Sequence, residues 1–192
     1  QDPDIIMVGE IRDSETGSLA VQSALTGHTV LSTLHTNSAA GVLPRLLDMG
    51  IEPFLISSTL NTVIGQRLVR VVCEKCKKPY QASPALKNVI MKSVGQFLPK
   101  TADQDMKDFG YSNLPLADAE TLTLYKGEGC EDCQHTGYSG RIGIYEVFPI
   151  TSKMEELLQT HATSTEVEEL AINDGMITMR QAGLLKALEG IP

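Results

Sequence analysis

The sequence predicts an α/β fold that carries a metal-binding insertion and a helical C-terminal region. Three observations support this prediction. An apolar run near the start of the chain is followed by a helix signal and a second strand signal. Four cysteines stand in two Cys-x-x-Cys pairs. Residues 149–192 carry apolar side chains at helical spacing, so they predict helices that pack against the rest of the protein.

Composition limits the classes of protein that fit. The chain has 192 residues, of which 42% are hydrophobic, enough for one core and a small additional module. Its 16 Lys and Arg against 24 Asp and Glu give a net charge of −8, which opposes binding to nucleic acid. No apolar run approaches the roughly 18 residues of a membrane span. We therefore expect a cytoplasmic protein with no transmembrane segment and no nucleic-acid partner.

Residues 1–72 alternate strand and helix signals. The apolar run at 5–8 is typical of a central parallel strand buried on both faces. Asp13 or Ser14 can cap the next helix, and Gly27 can end it. Its predicted inward side chains are Leu19, Ala20, Ala24 and Leu25. The remaining predicted elements are a strand at 29–34, an amphipathic helix with Val42, Leu43, Leu46 and Leu47 on one face and Gly50 at its end, a short helix at 53–60 and a strand at 66–72.

We interpret the middle of the chain as an insertion. Residues 79–124 contain scattered prolines and charges with weak periodicity, and only 85–94 and 102–109 favour helices. A glycine-rich stretch then leads to a strand at 142–148. In the tail, Thr151 and Ser164 are the predicted N-caps. Its predicted inward side chains are Leu157, Leu158, Val167, Leu170, Leu184, Leu185 and Leu188.

The cysteines form the strongest local motif. Cys73 with Cys76 and Cys130 with Cys133 each place two thiolates on one turn, and two such pairs complete a tetrahedral zinc site. Four thiolates leave no coordination position for water, so the zinc would be structural. The alternatives are two local disulfides, four free thiols or a redox dithiol; a cytoplasmic location disfavours disulfides.

A second group of polar residues follows the first two strands. Glu10 comes just after the apolar run at 5–8, and residues 33–37 follow the second strand as Thr-Leu-His-Thr-Asn. Ligands of open α/β sheets gather at the carboxyl ends of the strands, and a carboxylate there can hold hydrated Mg²⁺ beside a nucleotide. An apolar strand followed by Glu is also common without such a role. We interpret His28, in a turn after Gly27, as structural.

These residues resemble the Walker B and histidine boxes of the type II/type IV secretion ATPase superfamily. The similarity rests on residues 2–13, on Thr26-Gly27-His28, on 33–37, on 66–70, on both cysteine pairs and on 137–146. It is weakest in 79–124. In that superfamily the cysteine module marks type II secretion and pilus-assembly ATPases, whereas the retraction ATPases generally lack it.

The resemblance implies a fold and site roles. The fold would be the C-terminal part of a RecA-like P-loop NTPase domain at 1–72, a tetracysteine zinc-binding subdomain at 73–148 and a C-terminal helical region at 149–192. Glu10 would be the Walker B acid that acts on Mg²⁺ through water, and His35 would stand near the γ-phosphate of ATP. Arg12 would be the Walker B arginine, paired with Asp13 or Glu15.

The resemblance also implies a function for the intact protein. It would be a hexameric ATPase that powers assembly of a type II secretion pseudopilus or a type IV pilus, held at the inner membrane by a platform protein and an adaptor. The Gly-Lys-Ser/Thr phosphate loop and the acidic box of the family do not occur in these residues, and we expect both upstream of Gln1. The chain alone is therefore expected to be inactive.

Two rival functions fit part of the sequence. One is a zinc-stabilised interaction module that never binds nucleotide, which the cluster around His35 disfavours. The other is a related DNA-processing or conjugation ATPase, which the net charge of −8 disfavours.

Overall fold

The computed structural model describes residues 3–101, 110–111 and 113–191, and it confirms the mixed α/β class. The elements in chain order are β1 (Ile5–Val8), α1 (Ser14–Leu25), β2 (Thr29–Ser32), α2 (Val42–Asp48), α3 (Pro53–Thr59), β3 (Thr62–Val72), β4 (Lys77–Gln81), α4 (Pro84–Val94), β5 (Thr123–Gly127), β6 (Tyr138–Pro149), α5 (Ser152–Leu158), α6 (Ser164–Asn173) and α7 (Met179–Leu188). Short 3-10 turns occur at Gly95–Phe97 and Glu131–Cys133.

The chain folds as two compact units. Unit 1 contains the residues up to 65 together with 146–177, and unit 2 contains 66–145 together with the residues from 178 onward. β3 and β6 pair with each other, and the division falls within both strands.

β1 and β2 form a parallel pair in unit 1, with Ile5 opposite Thr29 and Val8 opposite Ser32. This confirms both strands, although β2 ends at Ser32 and not at Leu34 as predicted. The prediction that β1 is buried on both faces is wrong. Ile5 and Met7 are 62% and 77% exposed, because alternate side chains of a strand point to opposite faces and the described residues leave the face of Ile5 and Met7 open.

α1 begins as predicted, but the side chains that it buries are not all those that the sequence predicted. Asp13 is its N-cap, since Asp13 Oδ1 accepts the N–H of Thr16 at 2.8 Å. Gly27 has a φ of 98°, the left-handed conformation expected after a helix. The buried positions are Gly17 and Ala20, whereas Leu19 and Leu25 are about half exposed, so the prediction that both leucines face inward is wrong.

The core of unit 1 lies between α2, α3, α5 and α6. Leu43 and Leu46 of α2 are buried in it, and Val42 and Leu47 pack against it, which confirms the predicted apolar face. Gly50, with a φ of 81°, ends α2. The other core residues include Ile56, Phe148, Met154, Leu158 and Val167. Thr151 caps α5 as predicted, but the N-cap of α6 is Thr163 and not Ser164.

Unit 2 contains a strand pair that the sequence did not predict. β4 and β5 are antiparallel, with Lys77 opposite Gly127 and Gln81 opposite Thr123. α4 and α7 pack on each other, and the predicted helix at 85–94 is confirmed by α4. The predicted helix at 102–109 lies outside the described residues. β3 and β6 each begin four residues earlier than predicted. The predicted starts were 66 for β3 and 142 for β6.

Within the described ranges, no helix has both the length and the apolar character needed to cross a bilayer.

Candidate functional site

Glu10 follows β1 and contacts both of the side chains predicted to act with it. Arg12 Nη2 lies 2.7 Å from Glu10 Oε2, and His35 Nε2 lies 3.1 Å from Glu10 Oε1. The structure therefore brings Glu10, Arg12 and His35 together. The Arg12 and His35 side chains are largely exposed, whereas that of Glu10 is mostly covered at 22% exposure.

Backbone hydrogen bonds hold the two strand ends side by side. The N–H of Ile11 donates to the carbonyl of Thr33 at 2.9 Å, and the hydroxyl of Thr33 donates to the carbonyl of Gly9 at 2.8 Å. These bonds extend the parallel pairing of β1 and β2 into the polar segments beyond them. They explain why Glu10 and His35, distant in sequence, meet at one edge of the pair.

Basic neighbours lower the pKa of Glu10. The hydrogen bond from Arg12 is the largest cause, and the electrostatic interactions of Glu10 with Arg12 and His35 act in the same direction. Arg12 pairs with Glu10, whereas the sequence placed its partner at Asp13 or Glu15. Glu10 is therefore an ionised carboxylate at neutral pH, the kind of group that holds a hydrated Mg²⁺ through water.

His28 lies in a local turn. Its Nδ1 is 2.9 Å from Thr26 Oγ1 and 3.0 Å from the carbonyl oxygen of Ser23. These contacts tie the ring to the end of α1, which agrees with the structural interpretation of His28.

The four cysteines form one cluster in unit 2. All four Sγ atoms lie within 4.8 Å of one another. The Sγ–Sγ distances are 3.9 Å from Cys73 to Cys130, 3.9 Å from Cys76 to Cys133 and 3.7 Å from Cys130 to Cys133. A tetrahedron with Zn–S bonds of about 2.3 Å has sulfur edges of about 3.8 Å, so this donor set fits zinc. No disulfide joins these four thiols.

Backbone donors surround the sulfurs. The N–H groups of Gly129, Cys130 and Gly137 point at the sulfurs at 3.2–3.3 Å, the first at Cys76 and the other two at Cys133. The hydrogen bond from the Cys130 N–H lowers the pKa of the Cys133 thiol to about 6, while burial raises the pKa of the Cys76 thiol to about 11. Donors aimed at sulfur stabilise thiolates, the form in which cysteine binds metals.

Sequence reasoning missed one buried charge. Glu146 on β6 is 5% exposed, and its Oε1 accepts the N–H of Ala39 at 2.6 Å. The residue lies at the end of the 137–146 motif, but the sequence assigned it no role. A signal was available, since a charged residue in an otherwise apolar strand is costly to bury unless it has partners.

Solved structures define the class of fold. The pilus retraction motor PilT with bound ADP matches with a TM-score of 0.57 and 21% identity, over 100% of this chain and 38% of that one. The Legionella pneumophila ATPase DotB matches with a TM-score of 0.54 and 21% identity, over 98% of this chain and 36% of that one. The chain therefore shares the fold of the corresponding parts of these two proteins.

The chain belongs to the Type II/IV secretion system protein family, whose model matches residues 1–192. A type IV pilus assembly ATPase, PilB of Myxococcus xanthus, is 44% identical over 99% of the chain and 30% of its own length. The type II secretion system protein E of Pseudomonas aeruginosa is 44% identical over 100% of the chain and 33% of its own length. The chain thus spans about a third of these relatives.

Proposed function

We propose that the intact protein containing this chain is a hexameric ATPase that powers assembly of a type II secretion pseudopilus or a type IV pilus. The observation that carries the proposal is the contact between Glu10 and His35 at the ends of two neighbouring parallel strands. Relatives with 44% identity along the chain are a pilus assembly ATPase and a type II secretion protein, which supports it.

The proposed roles of the site residues follow from their chemistry. Glu10 is the Walker B acid and holds the water shell of Mg²⁺. His35 lies beside it and is directed at the γ-phosphate of ATP. Arg12 pairs with the Glu10 carboxylate and holds it in place. Phosphoryl transfer requires chiefly positioning and charge stabilisation, and these three side chains supply both. The 192 residues contain no Gly-Lys-Ser/Thr loop, so we expect them not to hydrolyse ATP alone.

The cysteine cluster is proposed as a structural zinc site. Its four sulfur ligands, Cys73, Cys76, Cys130 and Cys133, have tetrahedral spacing and no disulfide. The proposed domains are the C-terminal part of a RecA-like core at 1–72, the zinc-binding subdomain at 73–148 and a helical region at 149–192. The proposed partners are further copies of the protein, an inner-membrane platform protein and an adaptor. The proposed location is the cytoplasm, at the inner membrane.

The test replaces the Walker B carboxylate in the intact protein. Glu10→Ala should lower kcat for ATP hydrolysis by roughly 100-fold or more while leaving the ring assembled, because the variant removes a charge that acts on Mg²⁺. Glu15→Ala removes an exposed carboxylate from the first turn of α1 and serves as the matched control. Steady-state kinetics with size-exclusion chromatography provide the readout. Full activity in Glu10→Ala would remove Glu10 from the site.

A further inference from the structure

Glu146 is a buried carboxylate that the proposed catalytic roles do not use. The residue lies on β6 with 5% of its surface exposed, within unit 1. A carboxylate that leaves water loses strong solvation, so it is retained in a core only where hydrogen bonds replace the water. The positions of the groups that bond to Glu146 therefore indicate the role of its carboxylate.

One of these groups is the backbone of the segment that carries His35. Glu146 Oε1 accepts the N–H of Ala39 at 2.6 Å, and Ala39 is 1% exposed. Ala39 lies between β2 and α2, four residues after His35. A backbone N–H bonded to a carboxylate is a strong, charge-assisted contact, and burial strengthens it further.

Gly65 on β3 makes room for this contact. A Cβ at position 65 would lie 2.9 Å from Cγ and 3.0 Å from Oε1 of Glu146, and 3.1 Å from Cβ of Ala39. A side chain at this position would require the Glu146 carboxylate or Ala39 to shift, and either shift disturbs their hydrogen bond. The absence of a side chain at Gly65 is thus part of the same arrangement.

The other end of the segment is held as well. The carbonyl of Thr33 accepts a hydrogen bond from the N–H of Ile11, and its hydroxyl donates one to the carbonyl of Gly9. Between the two ends, the hydroxyl of Thr36 donates to the carbonyl of Ser38 at 2.8 Å, and the N–H of Gly41 donates to the same carbonyl at 3.2 Å. His35 therefore stands on a short segment that is fixed at Thr33 and at Ala39.

We propose that Glu146 is a positioning residue: its buried carboxylate anchors segment 33–39 at Ala39 and so keeps the His35 imidazole beside Glu10. This inference rests on the proposed function, because the value of a fixed imidazole lies in the reaction at Glu10. Displacement of a reacting group by about 1 Å can lower a rate by roughly 100-fold, so an anchor outside the site can act on the chemical step.

The first test measures the anchor without any reaction. Hydrogen exchange by mass spectrometry on the intact protein should show faster exchange in peptides covering 33–41 in Glu146→Ala than in the wild type, with α5 and α6 unchanged. Glu156→Ala, an exposed carboxylate on α5, is the matched control and should change neither. Unchanged exchange at 33–41 would overturn the proposal.

The second test separates positioning from stability. In the intact protein, Glu146→Ala should lower kcat by roughly tenfold or more while KM for ATP changes less than about threefold. Glu146→Gln keeps an oxygen that accepts the Ala39 N–H, so its kcat should lie between those of the wild type and Glu146→Ala. The proposal is overturned if both variants lose kcat equally and in proportion to their loss of thermal stability. Glu146 would then be a structural residue only.

A third variant covers the case in which Glu146→Ala does not fold. Gly65→Ala retains Glu146 but crowds its carboxylate, so it should also lower kcat and speed exchange at 33–41. Wild-type kcat and wild-type exchange at 33–41 in a folded Gly65→Ala protein would contradict the proposal.

The outcomes also separate this inference from the proposed function. If Glu10→Ala and His35→Ala lose activity while the variants at 146 and 65 do not, the positioning role alone fails. If Glu10→Ala stays active, the proposed function fails, and the exchange experiment still decides the anchor.

Discussion

The carboxylate of Glu10 has a different basic neighbour at each oxygen, with Arg12 on Oε2 and His35 on Oε1. The Arg12 hydrogen bond is the largest cause of its lowered pKa. The two contacts are therefore not equivalent: Arg12 stabilises the charged form of Glu10 most strongly, while the exposed imidazole of His35 is available to a ligand that approaches from solvent.

This difference can be tested through the charge of Glu10 itself. Replacing Arg12 with Gln should raise the pKa of the Glu10 carboxyl toward its ordinary value, because the strongest donor to the charged form is weakened. Carbon-13 NMR of the side-chain carboxylates during a pH titration measures this. Glu166, whose pKa is lowered by the N–H of Thr163, is the internal control and should not move. An unchanged pKa of Glu10 would mean that the contact with Arg12 does not stabilise its charged form.

Sequence reasoning at this scale worked where a motif is local. The Cys-x-x-Cys spacing identified four residues whose sulfurs the structure brings together, because each pair is fixed by a single turn. Side-chain pairing was harder to predict. Arg12 was assigned Asp13 or Glu15, although its partner in the structure is the equally local Glu10. Glu146 received no role, since Ala39, whose N–H it accepts, is 107 positions away in sequence.

At the scale of elements, the sequence placed the N-cap of α6 one residue too late, at Ser164 and not at Thr163. Thr163 Oγ1 accepts the N–H of Glu166, and Glu166 Oε2 accepts the N–H of Thr163 at 2.8 Å. This reciprocal capping box requires Thr and Glu three positions apart. Ser164, the predicted cap, is only two positions before Glu166.

The capping box gives a prediction about stability. Thr163→Ala should lower the free energy of unfolding by about 1 kcal/mol, because the first turn of α6 loses a side-chain acceptor. Thr165→Ala changes an exposed threonine in the same turn and should have little effect. Urea denaturation monitored by circular dichroism measures both. Equal stability of the two variants would contradict the capping role of Thr163.

The stability that this capping box contributes should decrease at low pH. The N–H of Thr163 lowers the pKa of Glu166 in the folded protein, so folding favours the charged form. The stabilisation is present above the unfolded pKa of glutamate and is lost as pH falls through the lower folded pKa. The difference in free energy of unfolding between the wild type and Glu166→Gln, which removes the charge, should therefore shrink in acid.

Strand ends and exposed strand faces were the least predictable elements. β4 has the sequence Lys-Lys-Pro-Tyr-Gln, which lacks the alternation of a half-buried strand, and its stability derives from pairing with the distant β5. β1 was correctly placed, but its apolar run could not reveal that Ile5 and Met7 stay exposed in this chain. Burial depends on neighbours that a local pattern does not contain.

At the scale of the molecule, the two candidate sites belong to different units. The Glu10 and His35 cluster and the Glu146 anchor lie in unit 1, and the cysteine cluster lies in unit 2. Unit 2 has its own apolar core, which includes Val72, Ile90, Leu122, Leu124 and Leu185. The cysteines join two parts of that unit 57 positions apart in sequence, between which lies the insertion with its weak hydrophobic periodicity.

Metal removal should therefore affect unit 2 selectively. The purified chain should contain about one zinc per molecule, and its four cysteines should react with a thiol reagent only after chelation. Chelation or Cys130→Ser should speed proteolysis within 73–133 by about tenfold or more, because zinc binding contributes directly to folding of the segment it closes. Peptides from residues 3–65 should be released at an unchanged rate.

The outcome distinguishes a structural metal from an incidental one. Ser139→Ala, a small polar change on β6 outside the cluster, is the matched control and should keep both the zinc and the digestion pattern. If the chain contains no metal and its thiols react freely, the cluster is not a zinc site. If zinc is present but chelation leaves digestion unchanged, the metal does not stabilise unit 2. In either case the Glu10 and His35 contact in unit 1 would remain as the basis of the proposed activity, because it involves none of the four cysteines.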